Sequence, residues 1–314
     1  MALHEQVRAL REQRLADGCV PIYMLSVDEA RAADLAEVKQ AGSSPEPVEQ
    51  VFNFLIPGVA GRIPIRVYLP RSAGGPHPVL MYFFGGGWVL GTLETSDRVC
   101  RALTNATGCA TVAVGYRLAP EHRFPAAIDD CYAALRWIAD FGVVIGLDMD
   151  RIAVAGDSAG GNLAAASTLR SRDEGGPKLA AQVLIYPNTD RFSDTPSMHD
   201  NTDPAFFNNR SVEWYWNHYL SSPVDADSPL VSPLRASDLS GLPPALIITA
   251  EHDPLRDQGE QYAARLQRAA VDVELTRYNG MIHGFFTMTG ILDDARAATN
   301  QVAQFIRRRL TDRG

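Results

Sequence analysis

The pattern of apolar and polar positions divides the chain into short elements of two kinds. Residues 4–40 follow a helical period, with Val7, Leu10 and Leu15 recurring among charged positions, and this predicts two short helices. From about residue 48 the pattern becomes that of strands, as in RIPIRVYLP. Apolar runs such as CATVAVGYRL then alternate with helical stretches such as FPAAIDDCYAALRWIADFG. This alternation predicts an α/β fold, with a mostly parallel sheet covered on both faces and ligands at the carboxyl ends of its strands.

One segment interrupts this alternation. The stretch from about residue 190 to 235 is polar and aromatic and has no strand pattern. An insertion of this length inside a compact fold is usually a lid or a binding lobe. We therefore expect it to contribute to a functional site.

Charge and composition narrow the function class. The 314 residues include 29 Lys and Arg against 37 Asp and Glu, a net charge of -8, without a basic stripe. Such a chain binds nucleic acid and anionic membranes poorly. The N-terminus lacks the apolar core of a signal peptide, and the apolar runs are too short to span a bilayer. The spacing of the four cysteines predicts reduced core thiols and no structural zinc. Small-molecule chemistry in the cytoplasm is favoured.

The segment VAGDSAGGN contains a G-x-S-x-G motif, directly after the predicted strand RIAVA and directly before an Ala-rich helix. A nucleophile on a tight strand-to-helix turn needs unfavourable backbone angles, and flanking glycines remove side chains that would collide there. Ser158 would lie at a helix N-terminus, where backbone N–H groups favour developing negative charge. The alternative is a glycine-lined turn with an N-capping serine, and the strand and helix context favours the nucleophile.

A serine nucleophile on this architecture needs an acid and then a histidine further along the chain. Of the seven histidines, His283 follows a strand and a Gly-containing loop downstream of EHDPLRD, so it can reach the same edge of the sheet. Within EHDPLRD, Asp253 falls just beyond the predicted strand, Asp257 falls in the next helix, and Glu251 is the main competitor. The predicted catalytic residues are Ser158, Asp253 and His283.

The segment YFFGGGWVLG places three glycines after a buried strand. Backbone N–H groups can converge on one point only where side chains do not block the approach. We predict that Gly85 and Gly86, together with the Ala159 N–H group, bind the oxyanion of an acyl-transfer reaction. The neighbouring Trp88 argues against a flexible connector, because such linkers rarely carry a large apolar ring.

From about residue 48 to the C-terminus, the chain resembles the bacterial hormone-sensitive-lipase-like branch of the α/β-hydrolases. Six segments carry this resemblance, in this order: GGGW, YRLAPEHRFPAAIDD, GDSAGGN, LIYP, DPLRD and HGFF. The resemblance implies an eight-stranded sheet, the same catalytic residues, and a carboxylesterase for short- to medium-chain acyl esters, without cofactor and often dimeric. It also implies that Arg117, Glu121 and Asp129 form a structural network. The domains implied are 1–47 as the N-terminal part of a helical cap, 48–189 as the first part of the core, 190–235 as the cap insertion and 236–314 as the second part of the core.

The sequence departs from the family pattern at two positions. Phe84 stands where the family has the histidine of H-G-G-G, and Gln258 stands where many relatives carry Glu. A histidine can hydrogen-bond to the backbone and steady the loop, whereas phenylalanine can only pack. Phe84 therefore also motivates a specialised reaction, such as amide deacylation, acyl transfer or elimination on a biosynthetic intermediate.

Aromatic residues are predicted to form the apolar substrate pocket. They are Phe84, Trp88, Phe206, Phe207, Trp214 and Trp216. The predicted function is that of a serine carboxylesterase that acts on a small ester and binds no metal. A non-catalytic ligand-binding protein on a hydrolase scaffold is a third hypothesis, although such proteins typically lose a catalytic residue and this chain keeps all three.

Overall fold

An eight-stranded sheet lies at the centre of the computed structural model, which describes residues 2–71 and 74–311. The strand order is β1-β2-β4-β3-β5-β6-β7-β8; β2 is antiparallel to both of its neighbours, and the other pairs are parallel. This confirms the predicted α/β class and the strand number. The strands are β1 (Gln50–Gly58), β2 (Gly61–Leu69), β3 (His77–Phe83), β4 (Ala110–Val114), β5 (Leu147–Asp157), β6 (Ala181–Ile185), β7 (Ala245–His252) and β8 (Val273–Ile282).

The two helices predicted for residues 4–40 are present as α1 and α2, and Ser26 begins α2 with a capping box to Glu29. None of the helices in the described ranges has the length and apolar character needed to cross a bilayer. The α-helices of these ranges are α1 (Glu5–Ala16), α2 (Val27–Ala41), α3 (Leu93–Thr107), α4 (Ala126–Phe141), α5 (Ala159–Asp173), α6 (Pro196–Asp200), α7 (Asn209–Tyr219), α8 (Arg256–Arg268) and α9 (Asp293–Leu310).

The parallel strands bring the predicted site residues to one edge of the sheet. Strands β4 and β6 are buried along their whole length and β3 along nearly all of it, as expected of parallel strands that are covered on both faces. Strands β3, β5, β7 and β8 run in the same direction, so their carboxyl ends share an edge. The residues that follow these ends are Phe84, Ser158, Asp253 and His283.

The segment predicted as an insertion folds into α6, α7 and two 3₁₀ turns, Pro223–Asp227 and Pro233–Arg235. Helix α1 binds to this segment: Arg11 Nε donates to Asp203 Oδ2 at 2.6 Å, and Arg14 Nη1 donates to Ala205 O at 2.9 Å. These bonds join α1 to the insertion above the edge of the sheet at which the parallel strands have their carboxyl ends.

Gln258 anchors the start of the insertion to α8. Its Oε1 atom accepts hydrogen bonds from the backbone N–H groups of Thr189 at 2.6 Å and Asp190 at 2.8 Å. Its Nε2 atom is buried without a hydrogen-bond partner. The oxygen that Gln shares with Glu makes these bonds, so the departure from the family pattern preserves this anchor.

Arg117, Glu121 and Asp129 form separate ion pairs rather than the single network that the resemblance implied. Arg117 binds Asp130, with both guanidinium contacts at 2.8 Å. Glu121 binds Arg31 of α2, and Asp129 binds an arginine of α5. Successive side chains of an α-helix point in directions about 100° apart. Asp130 therefore faces Arg117, whereas Asp129 faces the neighbouring helix.

The four cysteines are free thiols. Cys100, Cys109 and Cys131 are buried, as predicted, and burial raises the pKa of the Cys109 thiol to about 11. Cys19 is exposed in the connection between α1 and α2, so the prediction of a core thiol is wrong for this residue.

Candidate active site

Ser158 lies on the turn between β5 and α5 with a φ of 56°, a strained value for a residue with a side chain. Its backbone N–H donates to Ile185 O at 2.8 Å. A Cβ atom on Gly160 would lie 1.9 Å from Phe83 O, so only glycine fits at this point. The motif glycine therefore lets the turn approach the end of β3, and Ser158 projects from the edge of the sheet.

His283 connects Ser158 to Asp253. Its Nε2 atom lies 2.9 Å from Ser158 Oγ, and its Nδ1 atom lies 2.8 Å from Asp253 Oδ2. Asp253 is completely buried, and its Oδ1 atom accepts the Leu255 N–H at 2.8 Å. When Nδ1–H donates to the carboxylate, Nε2 is free to accept a proton from the serine hydroxyl. The structure thus brings the three residues into one hydrogen-bonded series.

The two competing carboxylates have other partners. Glu251 Oε2 accepts the Gly280 N–H at 2.7 Å, which fixes the loop before His283. Asp257, in α8 as predicted, accepts the Ser197 N–H at 2.8 Å. Neither side chain hydrogen-bonds to His283.

The glycine loop differs from the prediction in one donor. The Gly85 N–H donates to Asp157 Oδ1 at 2.9 Å, so it cannot serve an oxyanion. Among the described residues, the N–H groups of Gly86, Gly87 and Ala159 donate to no other group. Gly86 and Gly87 line the same cavity as Ser158, whereas Ala159 does not. The sequence identified the loop, but it did not show that a neighbouring carboxylate occupies its first N–H group.

Asp157 and Tyr116 hold this loop from two sides. Asp157 Oδ1 also accepts the Tyr82 hydroxyl at 2.7 Å, and the Tyr116 hydroxyl donates to Phe84 O at 2.8 Å. Burial raises the pKa of Asp157, although the hydrogen bonds from Tyr82 and Gly85 oppose this shift. The sequence reasoning missed all three side chains, and the position of Asp157 inside the G-x-S-x-G motif was the signal that could have revealed it.

Phe84 packs as an apolar residue in place of the family histidine. Its ring stacks on Tyr116 with a centroid distance of 4.4 Å and an interplanar angle of 22°. Only 4% of Phe84 is exposed, and the side chain lines the cavity. The hydrogen bond to the Phe84 carbonyl and this ring stack both hold the loop. Neither contact needs the imidazole of the family histidine.

A cavity of about 270 Å³ opens onto Ser158 and His283. It is enclosed by the glycine loop, by α2, and by the insertion through Phe206, Phe207 and Tyr215. Phe207 stacks on the His283 ring at 4.1 Å, and Tyr186 packs against the same ring at 4.7 Å. Tyr186 directly follows β6, in the LIYP segment, and the sequence reasoning did not assign it to the site.

Three of the six aromatic residues predicted for the pocket lie elsewhere. Trp88, Trp214 and Trp216 do not line the cavity, whereas Phe84, Phe206 and Phe207 do. Trp88 is fully buried and stacks on Tyr219 at 4.2 Å, so it ties the glycine loop to α7.

The helical period of α7 explains which aromatic residues face the site. Tyr215 and Ser211 are four residues apart and share the face that lines the cavity. Trp216 is buried on the core side, and Trp214 contacts His218 on a third side at 4.3 Å. The sequence indicated an aromatic segment, but the choice of the residues that face the cavity depends on how α7 docks.

Comparisons with known proteins identify the family of the chain. A family model described as alpha/beta hydrolase fold matches residues 80–287. Carboxylesterase NlhH of Mycobacterium tuberculosis is 43% identical over 251 residues, which cover 79% of each chain. Ethyl acetate hydrolase of Pseudomonas putida is 36% identical over 307 residues, which cover 95% of each chain. The structure of a hyperthermophilic esterase from the archaeon Pyrobaculum calidifontis is 44% identical, covers 98% of this chain and 99% of its own, and superposes with a TM-score of 0.92.

The chain therefore belongs to the α/β-hydrolase fold family. Within that family it is a hydrolase of the hormone-sensitive-lipase-like branch, which confirms the resemblance carried by the six sequence segments.

The first prediction concerns Asp157. Asp157→Ala removes the acceptor of two buried donors, and each donor left without a partner costs about 1–3 kcal/mol of unfolding free energy. We expect lower stability in urea and a kcat at least tenfold lower, because the glycine loop loses its anchor. Tyr82→Phe is the control: it removes one hydrogen bond and keeps the Gly85 contact, so kcat should remain within about threefold of the wild-type value. Equal kcat values for Asp157→Ala and wild type would contradict the anchoring role.

Proposed function

We propose that the protein is a serine carboxylesterase that hydrolyses short- to medium-chain acyl esters through an acyl-enzyme. The observation that carries this proposal is the hydrogen-bonded series from Ser158 Oγ through His283 to Asp253. The series opens into a cavity whose lining includes the apolar side chains Phe84, Phe206 and Phe207, which suit an uncharged acyl chain. Its volume of about 270 Å³ is at the small end of ligand sites, which favours short and medium chains.

In the first step, Ser158 Oγ forms a bond to the ester carbonyl carbon while His283 Nε2 takes the hydroxyl proton. The negative charge that develops on the carbonyl oxygen is stabilised by the N–H groups of Gly86, Gly87 and Ala159. The bond to the alcohol oxygen then breaks, and His283 returns the proton to the leaving alcohol. Asp253 holds the imidazole in the correct tautomer and stabilises its positive charge.

In the second step, a water molecule attacks the acyl-enzyme. His283 takes a proton from the water, the oxyanion is held by the same N–H groups, and the bond to Ser158 Oγ breaks as the proton returns to the serine. The free acid leaves, and the enzyme is restored. Every proton transfer passes through one imidazole, and no cofactor is required.

The second prediction tests the nucleophile. Ser158→Ala should lower kcat/KM on a short-chain nitrophenyl ester at least 10³-fold, because only oxyanion binding and substrate positioning remain. Ser167→Ala is the matched control, since this buried hydroxyl in α5 has no hydrogen-bond partner and its removal should leave kcat/KM within twofold. A fluorophosphonate probe should label wild type and not Ser158→Ala. Turnover that survives in Ser158→Ala would disprove the assignment.

A specialised deacylase or acyl-transfer enzyme is the alternative that Phe84 motivates. The third prediction separates it from simple ester hydrolysis. Phe84→His should change kcat/KM on short esters less than tenfold, because the loop is held by the Phe84 carbonyl and by Asp157 rather than by the side chain. A loss above 100-fold, or a wild-type enzyme that cleaves an anilide faster than the matched ester, would favour the specialised reaction.

We also propose that α1, α2 and residues 190–235 form a cap that covers the cavity. The hydrogen bonds from Arg11 and Arg14 to the insertion support one unit built from both parts. The boundaries predicted from the sequence, 1–47 and 190–235, are consistent with the helices found in these ranges.

We further propose a cytoplasmic homodimer. The four unpaired thiols fit a reducing compartment. Strand β8 ends the sheet, and the part of its outer edge that precedes Gly280, whose carbonyl accepts the His4 N–H, can pair with a second copy. The fourth prediction is therefore that analytical ultracentrifugation shows a species of about twice 34.2 kDa. A species of single-chain mass at micromolar concentration would contradict the dimer.

A further inference from the structure

The cavity contains a carboxyl group that the proposed mechanism does not use. Asp34 projects from α2, is only partly exposed, and lines the same cavity as Ser158 and His283. Within the described residues it forms no ion pair, since no Lys, Arg or His nitrogen lies within 4.0 Å of its carboxylate. An unpaired carboxyl group in a substrate cavity is costly unless a ligand compensates it.

The nearest cations bind elsewhere. Arg31, one turn before Asp34, donates to both carboxylate oxygens of Glu121 at 2.8 Å and to Val89 O at 3.0 Å. Arg14 pairs with Glu37, the other acid of α2 in the cavity wall. Three acids line the cavity: Glu37 is paired with an arginine, Asp157 accepts hydrogen bonds from Tyr82 and Gly85, and Asp34 has no ion-pair partner.

Phe84, which stands at the position of the family histidine, adds no group to this wall that could carry positive charge. The Gly91 backbone hydrogen-bonds to Asp34, and a Cβ atom on Gly91 would lie 2.5 Å from Phe84 Cδ2. The Phe84 ring and the Asp34 carboxyl therefore border the same amide. At this position phenylalanine offers an aromatic surface, whereas histidine would offer a group that can carry positive charge.

Aromatic rings line the same cavity as the carboxyl group. Tyr215, whose pKa is raised by burial and then by the charges of Asp34 and Glu37, lines the cavity together with Phe84 and Phe206. A carboxylate beside aromatic rings is a chemistry that recognises ammonium groups, because a cation is attracted by the ring faces as well as by the anion.

We infer that Asp34 is a specificity-determining residue that binds an ammonium group carried by the ester substrate. This inference rests on the proposed esterase function, since it names the substrate class of the same cavity. The ammonium group would form an ion pair with Asp34 beside the ring of Phe84, while the ester carbonyl is held at Ser158.

The ionisation of Asp34 gives this recognition a pH dependence. Burial, followed by the charges of Glu37 and Asp157, raises the pKa of Asp34 to about 7, and the hydrogen bond from the Gly91 backbone opposes this shift. The other charged groups near it are the Glu37–Arg14 pair and Asp157, and the Tyr116 and Tyr215 hydroxyls are neutral at this pH. Above pH 7 the carboxylate is charged and attracts a cation; below pH 7 it becomes neutral and the attraction is lost.

The fifth prediction compares two butyrate esters of nearly the same shape. One carries a 2-(trimethylammonio)ethyl group, and the other carries the uncharged 3,3-dimethylbutyl group. In the wild-type enzyme, the kcat/KM ratio of the cationic to the neutral ester should rise between pH 6 and pH 8. Asp34→Asn should lower this ratio roughly tenfold at pH 8 and make it independent of pH, because one close charge pair is lost.

The control is Asp28→Asn, which removes an exposed carboxylate from the same helix outside the cavity and should leave the ratio unchanged. An equal ratio in wild type and Asp34→Asn would overturn the inference. An equal loss of kcat/KM in Asp34→Asn for 3-hydroxypropyl butyrate would also overturn the inference, since Asp34 would then recognise hydrogen-bond donors in general and not cations.

Binding to the inactive enzyme separates this inference from the esterase proposal. Calorimetry with Ser158→Ala should show weaker binding of the cationic ester after Asp34→Asn is added, whether or not the wild type cleaves it. Failure of Ser158→Ala to abolish turnover would refute the esterase mechanism alone. Identical binding constants with and without Asp34→Asn would refute the ammonium site alone.

Discussion

The hydrogen bonds from Tyr82 and Gly85 to the carboxylate of Asp157 join the two loops on which the site depends. One loop follows β3 and presents the free N–H groups, and the other follows β5 and presents Ser158. Because β3 and β5 are adjacent parallel strands, their carboxyl ends meet, and a single side chain can bridge them. The distance between Ser158 and the free N–H groups of the glycine loop is thereby set by two adjacent strands of the sheet.

The cavity walls and the hydrogen-bonded series come from different parts of the fold. Ser158, Asp253 and His283 come from the ends of core strands, whereas the cavity walls come from α2 and α7, which are far apart in the sequence. Their contact with the core depends on side-chain bonds such as those of Arg31 and on the stack of Trp88 with Tyr219. Substitutions in these helices can change the shape of the cavity while the hydrogen-bonded series stays in place.

The sequence predicted the sheet, the helices and the three residues of the hydrogen-bonded series, because these follow local rules: hydrophobic period, strand ends and a glycine-lined turn. It failed where the answer depends on packing across the fold. The Gly85 N–H is taken by a carboxylate 72 residues away in the chain, and three tryptophans lie outside the cavity. Asp34 was also missed, since nothing in its local sequence distinguishes a solvated helix acid from one that faces a cavity.

The exposure of Cys19 has a practical consequence. It is the one cysteine of the four that solvent reaches, and it lies in the wall of the cavity, in the connection between α1 and α2. A maleimide dye would therefore attach at a single defined place without any engineering of the chain. Because Tyr215 and Phe207 line the same cavity, the emission of such a dye would report when a ligand fills the space between the N-terminal helices and the insertion.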